Sequence, residues 1–394
     1  MEPRIIVFKR INVNIIQNKM MILYVIVIIL IVLYILIRLC LPFWSRQPVF
    51  HIYNIWYYFV SPRIISEQLP RLDDKYVNTK NIRVAYGNDN NQPYVDEMVS
   101  LIRNHYLRSK ELNYLPEKTH IVPYLELKDV IILHYYYADK IIGTITLRPI
   151  DCILNGTTLP LQYVDYLCVH NNHRKKGIAQ QLIRTLYYYQ RHKTYYKISL
   201  FKNEGKQRAI MPLTIYDSYR LIIKKIPMLT LHPNYKLLKI TDKNIHNLFS
   251  TLNNIKSDFK HYISINITNL LLLITTGNIE LYCLSYKDTI LSLYYVRNSR
   301  CYNKDNNIVK EIYATYKTSN LSIEDFQNGF QLLLAKMYKE SPECIIENIG
   351  HSKWLIEWLY NKGYIEKLTK YIVGYYLYNY VYKTIKSEEL FINI

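Results

Sequence analysis

The stretch from Tyr163 to Lys193, YVDYLCVHNNHRKKGIAQQLIRTLYYYQRHK, places a strand, a short basic loop and a helix in immediate succession. Tyr163, Val164, Tyr166, Leu167 and Val169 are the aromatic and aliphatic residues that suit a pleated, buried surface. Ile178, Leu182, Ile183 and Leu186 then recur at helical spacing. Between the two, Arg174, Lys175, Lys176, Gly177, Ile178 and Ala179 bring cations and close backbone N–H groups to a helix start. Unpaired donors and the macrodipole already favour an anion there. The spacing predicts a phosphate-bearing ligand; the bland alternative is a basic helix start that binds nothing.

Arg-x-x-Gly-x-Ala after a strand resembles the pyrophosphate-binding signature of the GNAT acyltransferases. The longer run LCVHNNHRKKGIAQQLI is similar to the central segment of the N-myristoyltransferases. That family is a tandem pair of GNAT-like halves that moves myristate from CoA to an N-terminal glycine. FWSRQPV (Phe43 to Val49) resembles the family's opening CoA-contacting motif, and YYLYNY (Tyr375 to Tyr380) its closing strand. The three segments keep the family's order and span nearly the whole chain after residue 42.

The resemblance implies an α+β fold of two GNAT-like halves with a pseudo-two-fold relation. Residues 43–210 would form the acyl-CoA-binding half, and 211–394 the half that binds peptide and carries the C-terminal carboxylate. It implies CoA contacts at Phe43, Trp44, Leu167, Cys168, Val169, Arg174, Lys175, Lys176, Gly177, Ile178 and Ala179. The thioester oxyanion would be held by backbone N–H groups of Tyr166 and Leu167. The base would be the α-carboxylate of Ile394, the chain's last residue, in place of the frayed terminus that is the default for chain ends. No cofactor is expected to be tightly bound; myristoyl-CoA is the co-substrate, proteins with an N-terminal glycine the acceptors, and the enzyme a monomer.

The sequence departs from the family at several positions. Asp165 stands where the family usually carries an amide close to the acceptor glycine; a carboxylate there suits pairing with the substrate ammonium, or is a satisfied strand residue. Gly177 stands where the family is usually basic. Met211–Arg220 resembles the acceptor-side segment only loosely and lacks the histidine expected beside its arginine. Direct transfer needs no covalent intermediate, so Cys168 reads as a small core residue. His170 and His173 have no acidic or cysteine partners at ligand spacing, which argues against a metal.

Met20–Ile37 is an apolar run of about 18 residues, close to the length that crosses a hydrocarbon core. It reads as a single transmembrane helix within an N-terminal segment, residues 1–42; no small-residue cleavage site follows it, and no polar face interrupts it. Arg4, Lys9, Arg10 and Lys19 before the span outnumber Arg38 and Arg46 after it, favouring a translocated catalytic part. Myristoyl-CoA and nascent glycines are cytosolic. Chemistry outweighs the margin of two charges, and a cytosolic catalytic domain on a single-pass anchor is expected. Asn155, Asn266 and Asn320 start sequons that read as chance in so Asn-rich a chain.

With 50 Lys+Arg against 31 Asp+Glu, the formal charge is +19, so an anionic partner is expected. The cations are scattered and carry no nucleic-acid signature, which ranks nucleic acid below a CoA nucleotide and a membrane surface. Six separated cysteines read as reduced thiols, with Cys40 a weak acylation candidate. The Tyr-, Ile-, Asn- and Lys-rich composition resembles AT-rich coding, as in some large DNA viruses or parasites.

The flanks give the motif its context. Val95–Tyr106 has helical spacing after a loop at Gly87–Pro93; Val130–Tyr137 and Ile141–Ile150 read as a hairpin around Ala138-Asp139-Lys140, with a turn at Asn155-Gly156. The second half repeats this faintly: a hairpin around Tyr286-Lys287-Asp288, a Ser322-capped helix through Tyr338, and a helix through Trp354–Leu359 ending at Gly363. No second Arg-x-x-Gly-x-Ala occurs there, so one CoA site is expected. Two alternatives stay open: a GNAT enzyme using acetyl-CoA or another short acyl-CoA, and a degenerate acyl-CoA- or lipid-binding membrane protein.

Overall fold

A computed structural model describes the chain except for residues 1–2, 88–92, 108–110, 206–208, 242–243 and 288, and no side chains for 3–18 and 93–94. Most of the loop expected at Gly87–Pro93, the turn residue Asp288, and the side chains of Arg4, Lys9 and Arg10 lie outside the described residues. Helix α1 (Pro3–Cys40) contains the apolar run. Within its span Lys19–Cys40 an 18-residue window has mean hydropathy 3.4, and none of that window is buried in the rest of the chain.

The first half runs β1 (Ile82–Tyr86), α2 (Pro93–His105), α3 (Lys118–Leu125), β2 (Ile131–Tyr137), β3 (Lys140–Leu154), β4 (Leu161–Val169), α4 (Ile178–Lys193) and β5 (Ile198–Glu204). The expected turns are present: Ala138 and Asp139 both have positive φ, as do Asn155 and Gly156. Tight antiparallel hairpins need that geometry. Ile178, Leu182 and Leu186 of α4 pack on one face of the sheet against Ile131, Leu133, Ile145 and Leu147. Met98 and Ile102 of α2 pack on the other face with Tyr166 and Cys168.

The second half runs β6 (Thr214–Ile223), β7 (Tyr235–Lys239), α5 (Leu248–Asp258), β8 (His261–Ser264), α6 (Ile267–Thr275), β9 (Ile279–Tyr286), β10 (Thr289–Tyr302), β11 (Ile308–Lys317), α7 (Ile323–Tyr338), β12 (Glu343–Glu347), α8 (Lys353–Asn361), β13 (Ile365–Tyr378) and β14 (Leu390–Asn393). Ser322 caps α7 as expected, its Oγ accepting from Asp325 N at 2.9 Å. Phe326 of α7 stacks on Tyr294 of β10 at 5.3 Å. Burying such a ring contributes about 1.5–3 kcal/mol.

The sheet order is β7–β9–β10–β11–β12–β6–β13–β5–β4–β3, and β3 pairs on with β2 and β2 with β1. It reads alike from both ends. In the first half the hairpin β2–β3 leads to β4 and its parallel neighbour β5; in the second, β9–β10 leads to β11 and its parallel neighbour β12. The halves then join at the centre: β5 of the first half pairs with β13 of the second, β12 pairs with β6, and β6 and β13 pair antiparallel between them. An antiparallel pair is itself two-fold symmetric, so the β6–β13 pair puts the pseudo-dyad in the middle of the sheet.

The C-terminus returns to the first half. β14 lies parallel to β8, and β8 pairs antiparallel with the far end of β3, Ser264 opposite Asp151. Leu390, Phe391, Ile392 and Ile394 are buried in the central core. That burial holds the last residue in place.

Candidate active site

In the first half, β4 and β5 pair only from Leu161 with Ile198 to Val164 with Phe201, and then part. On its other side the β4 ladder with β3 is interrupted between Thr144 and Thr146, opposite the segment from Asp165 to Cys168. Tyr166, in that interruption, has φ +49. One extra residue bends the strand and turns its backbone into the gap. A single cavity of about 1040 Å³ fills that gap. Asp165, Tyr166 and Leu167 line it, as does Ile394 from the other end of the chain. The proposed oxyanion donors, the amine-side carboxylate and the terminal residue are thus brought to one place.

Asp165 turns back on the strand: its Oδ1 accepts from the backbone N–H of Tyr166 at 2.9 Å. Enclosure by the cavity walls raises the pKa of its carboxyl, while Arg148 and the Tyr166 N–H oppose the rise. Arg148 is 1% exposed, its guanidinium lying 5.3 and 5.1 Å from the rings of Tyr124 and Tyr163. Its Nε and Nη1 have no hydrogen-bond partner among the described residues. A buried cation so placed pulls anionic groups toward the cavity.

The far wall is a chain of ion pairs from the second half. Arg297 of β10 meets Glu311 of β11 through two bonds of 2.8 and 3.0 Å, and its Nη1 donates to the main-chain oxygen of Ile394 at 3.0 Å. Burial would push the Glu311 carboxyl up, but Arg297 outweighs it and holds the group well below the usual carboxylate range. Lys202 of β5 bridges to Glu347 of β12 at 3.0 Å. Burial and the neighbouring Glu311 push Glu347 upward against the pull of Lys202. Of the carboxylates at the cavity centre, Glu311 and Glu347 are held by cations, while Asp165 touches only a backbone N–H among the bonds described.

The basic loop lies outside the cavity wall. Lys175 and Gly177 both have positive φ, and Gly177 precedes the first turn of α4. That turn has no acidic residue of its own, whereas Arg191, His192 and Lys193 occupy the last. Arg174 braces the loop, donating through Nε to Val169 O at 3.2 Å and through Nη2 to His105 O. Lys175 and Lys176 are exposed, Ala179 is half-buried, and Ile178 is buried under the sheet. Ile178 therefore offers its backbone, not its side chain, to any ligand. Cys168 is buried with its thiol pushed up to about 12 by burial, and Val169 sits half-buried beside the loop.

The three motifs distant in sequence converge on this half. Trp44 lines the cavity and stacks on Phe201 at 6.0 Å, which stacks in turn on Tyr376. Phe43 is buried behind it, edge-on to Trp44 and Tyr76. Tyr378 donates to Gln47 Oε1 at 2.7 Å, and Arg184 of α4 bridges to Asp74 at 2.8 Å. Val49 and Tyr378 form an isolated bridge, and Asn379 N donates to Pro48 O. The opening motif, the helix and the closing strand form one wall.

Arg148, Lys202, Arg297, Glu311 and Glu347 did not emerge from the sequence. Their only signal is a charged residue inside an otherwise apolar strand, such as Arg148 in ITLRPI or Glu311 in KEIYATY.

Residues 90–200 match the profile of the acetyltransferase (GNAT) domain. A mimivirus protein, from Acanthamoeba polyphaga mimivirus, provisionally named glycylpeptide N-tetradecanoyltransferase, is 25% identical over 99 residues. That match covers 24% of this chain and 28% of the relative's length. Crystal structures of Saccharomyces cerevisiae N-myristoyltransferase with bound myristoyl-CoA superpose with TM-scores of 0.69 and 0.67 at 14% and 15% identity. They cover 88% of this chain and 90% and 94% of the yeast chains. The chain has a GNAT domain in its first half and, over nearly its whole length, the two-half fold of the N-myristoyltransferases.

Proposed function

We propose that the chain is a glycylpeptide N-tetradecanoyltransferase, moving myristate from myristoyl-CoA to the N-terminal glycine of acceptor proteins. Residues 43–210 hold the acyl-CoA and 211–394 the acceptor peptide. The observation that carries the reading is the meeting of Asp165, the bulged Tyr166–Leu167 backbone and Ile394 around one cavity. A strand bulge with an oxyanion-binding backbone suits any acyl transfer; a chain terminus buried in the same cavity suits this one.

In the proposed reaction the glycine ammonium enters beside Asp165, which lowers the cost of desolvating it. The carboxylate of Ile394, oriented by Arg297, takes one of its protons, and the freed amine attacks the thioester carbonyl. The Tyr166 and Leu167 N–H groups hold the developing oxyanion, which requires Asp165 to release the Tyr166 N–H as it turns to the ammonium. The C–N bond forms, the C–S bond breaks, and CoA leaves as thiolate to be protonated. Arg174, Lys175, Lys176 and the backbone from Gly177 to Ala179 bind the pyrophosphate, with Phe43, Trp44 and the strand from Leu167 to Val169 along the rest of the CoA. No group need be permanently bound, and the enzyme works as a monomer. Helix α1 holds it in a membrane, catalytic part toward the cytosol.

Full-length protein, labelled myristoyl-CoA and a peptide with a free N-terminal glycine test this, with an acetylated peptide as control. Transfer to the free glycine alone is expected. The GNAT match over residues 90–200 and Gly177 favour a second reading, a short-chain acyltransferase, which predicts that acetyl-CoA outcompetes myristoyl-CoA. Tight CoA binding with no transfer from either donor means a binding protein, with the Tyr166 N–H permanently closed by Asp165.

A further inference from the structure

The segment just after α1 exposes an unusual set of large apolar side chains. Ile55, Trp56 and Phe59 are 69%, 67% and 79% exposed, and Ile52 is also exposed. The backbone that presents them is built, not frayed. Phe50 is buried and lies edge-on to Tyr57 and Tyr58 at 5.6 and 5.1 Å. Tyr58 donates to Ile52 O at 3.0 Å, His51 Nε2 meets Trp44 O at 2.8 Å, and residues Ile55–Tyr58 form one helical turn. Aromatic rings pin that turn from below and leave Trp56 and Phe59 pointing away from the core. Exposed apolar residues are ordinary one at a time; a contiguous set held outward marks a contact surface.

Its position indicates what it contacts. Leu41 N donates to Ile37 O at 2.9 Å and Ser45 N to Leu41 O at 3.0 Å, so hydrogen bonds run from α1 into the residues around Trp44, whose carbonyl His51 meets. The segment therefore sits next to the end of the helix, where the apolar run ends. Trp and Tyr concentrate at that depth, their rings in the interface and their polar edges in water. Exposed Arg46 and Arg63 flank the set, as cations do beside anionic headgroups.

We propose that residues 52–59 form a lipid-contacting pad that lies in the interface of the bilayer crossed by α1, fixing the Trp44 edge of the cavity at the membrane surface. The inference rests on reading α1 as a membrane span. A single helix would leave the catalytic part free to tumble on its short tether at Leu41–Pro42. The pad removes that freedom and brings the cavity to the level where an acyl chain and an acylated product partition.

The test uses the full chain in phosphatidylcholine–phosphatidylserine vesicles containing lipids brominated near the headgroup end of the acyl chain. Tryptophan fluorescence of the wild type is compared with that of Trp56→Phe, so that the difference reports Trp56 alone. Loss of most of the Trp56 emission with brominated lipid, and its red shift to that of a solvated ring in Ile55→Ser/Phe59→Ser, is expected. Carbonate extraction of the same vesicles reads α1 separately. Protein that resists extraction while Trp56 stays bright and solvated overturns the pad and leaves the span standing. Protein that is released by carbonate overturns the span, and with it this proposal. An unquenched but blue-shifted Trp56 means that a second copy or another protein covers the surface, which also overturns it.

Discussion

Arg297 Nη1 donates to the main-chain oxygen of Ile394 at 3.0 Å while the rest of its guanidinium clasps Glu311, so one half-buried cation orients the chain terminus. Shifting the carboxylate by a single residue moves it by about 3.5 Å. Appending one glycine after Ile394 is therefore expected to lower turnover by about 10²–10⁴-fold, the usual worth of a positioned general base. Binding of myristoyl-CoA should be unchanged, because the phosphate loop is remote from β14. Single-turnover kinetics beside a CoA-binding titration separates the two, and full activity of the extended chain rules out Ile394 as the base.

The sequence made the first-half side of this site legible and left the other side dark. Tyr166, Leu167 and the loop from Arg174 to Ala179 are contiguous, so local pattern and spacing suffice to place them. Helix limits followed for the same reason: Ser322 and Gly363 act on their own helices. Arg297 and Ile394 are 97 residues apart, and Lys202 and Glu347 are 145 apart. Nothing local couples them. The pairing of β13 with β5 of the other half was equally invisible, because alternation tells which face of a strand is buried and not which strand lies beside it. Nor did the pattern show that Asp165 would close onto its neighbour's N–H.

Asp165→Asn tests the amine side. Enclosure raises the Asp165 carboxyl above its unfolded value. A carboxyl with a raised folded pKa binds its proton more tightly in the native state. Its destabilising effect is absent below about pH 3.9, grows as pH rises toward the folded pKa, and is complete above it. The asparagine removes that penalty, so the melting temperature of the variant relative to wild type should rise with pH from about 4 upward. Loss of the charge facing the glycine ammonium should lower kcat/KM about ten- to a hundredfold, the worth of a hydrogen bond to a charged group. A variant as active as wild type removes Asp165 from substrate binding.

The phosphate loop separates charge from backbone. Lys175→Ala/Lys176→Ala should weaken CoA binding several-fold at low salt, since exposed pairs contribute about 0.2–1 kcal/mol each. The difference should vanish near 1 M salt, where the screening length is about 3 Å. Gly177→Ala acts otherwise. At φ +79 the added Cβ meets no closer atom than Gln180 Oε1 at 3.9 Å, so space is not the obstacle. A left-handed conformation costs an L-residue about 1–2 kcal/mol, so this variant should melt earlier at every salt concentration. Salt-independent loss of CoA binding in the lysine variant would place the phosphates elsewhere.

His351 should give the second half its acid sensitivity. Its Nδ1 accepts from the backbone N–H of Lys317 at 2.9 Å, and its ring stacks on Tyr316 and Trp354. Burial, with Lys317 nearby, pushes its pKa down to about 4. An imidazole held neutral in the native state and free to charge in the unfolded chain contributes stability that is fully present above about pH 6.5. That stability is lost as pH falls toward 4, and the loss reaches about 3 kcal/mol. Thermal melts of wild type and His351→Gln from pH 7.5 to 4 measure it. His134, which burial also lowers to about 4, and the raised carboxyls of Asp165 and Glu347 remain in both proteins and cancel. The stability advantage of wild type over the variant should therefore shrink steadily between pH 6.5 and 4. An advantage that stays constant through that window means that His351 takes up its proton without unfolding the region around α8, and that its ring is not the acid-sensitive element.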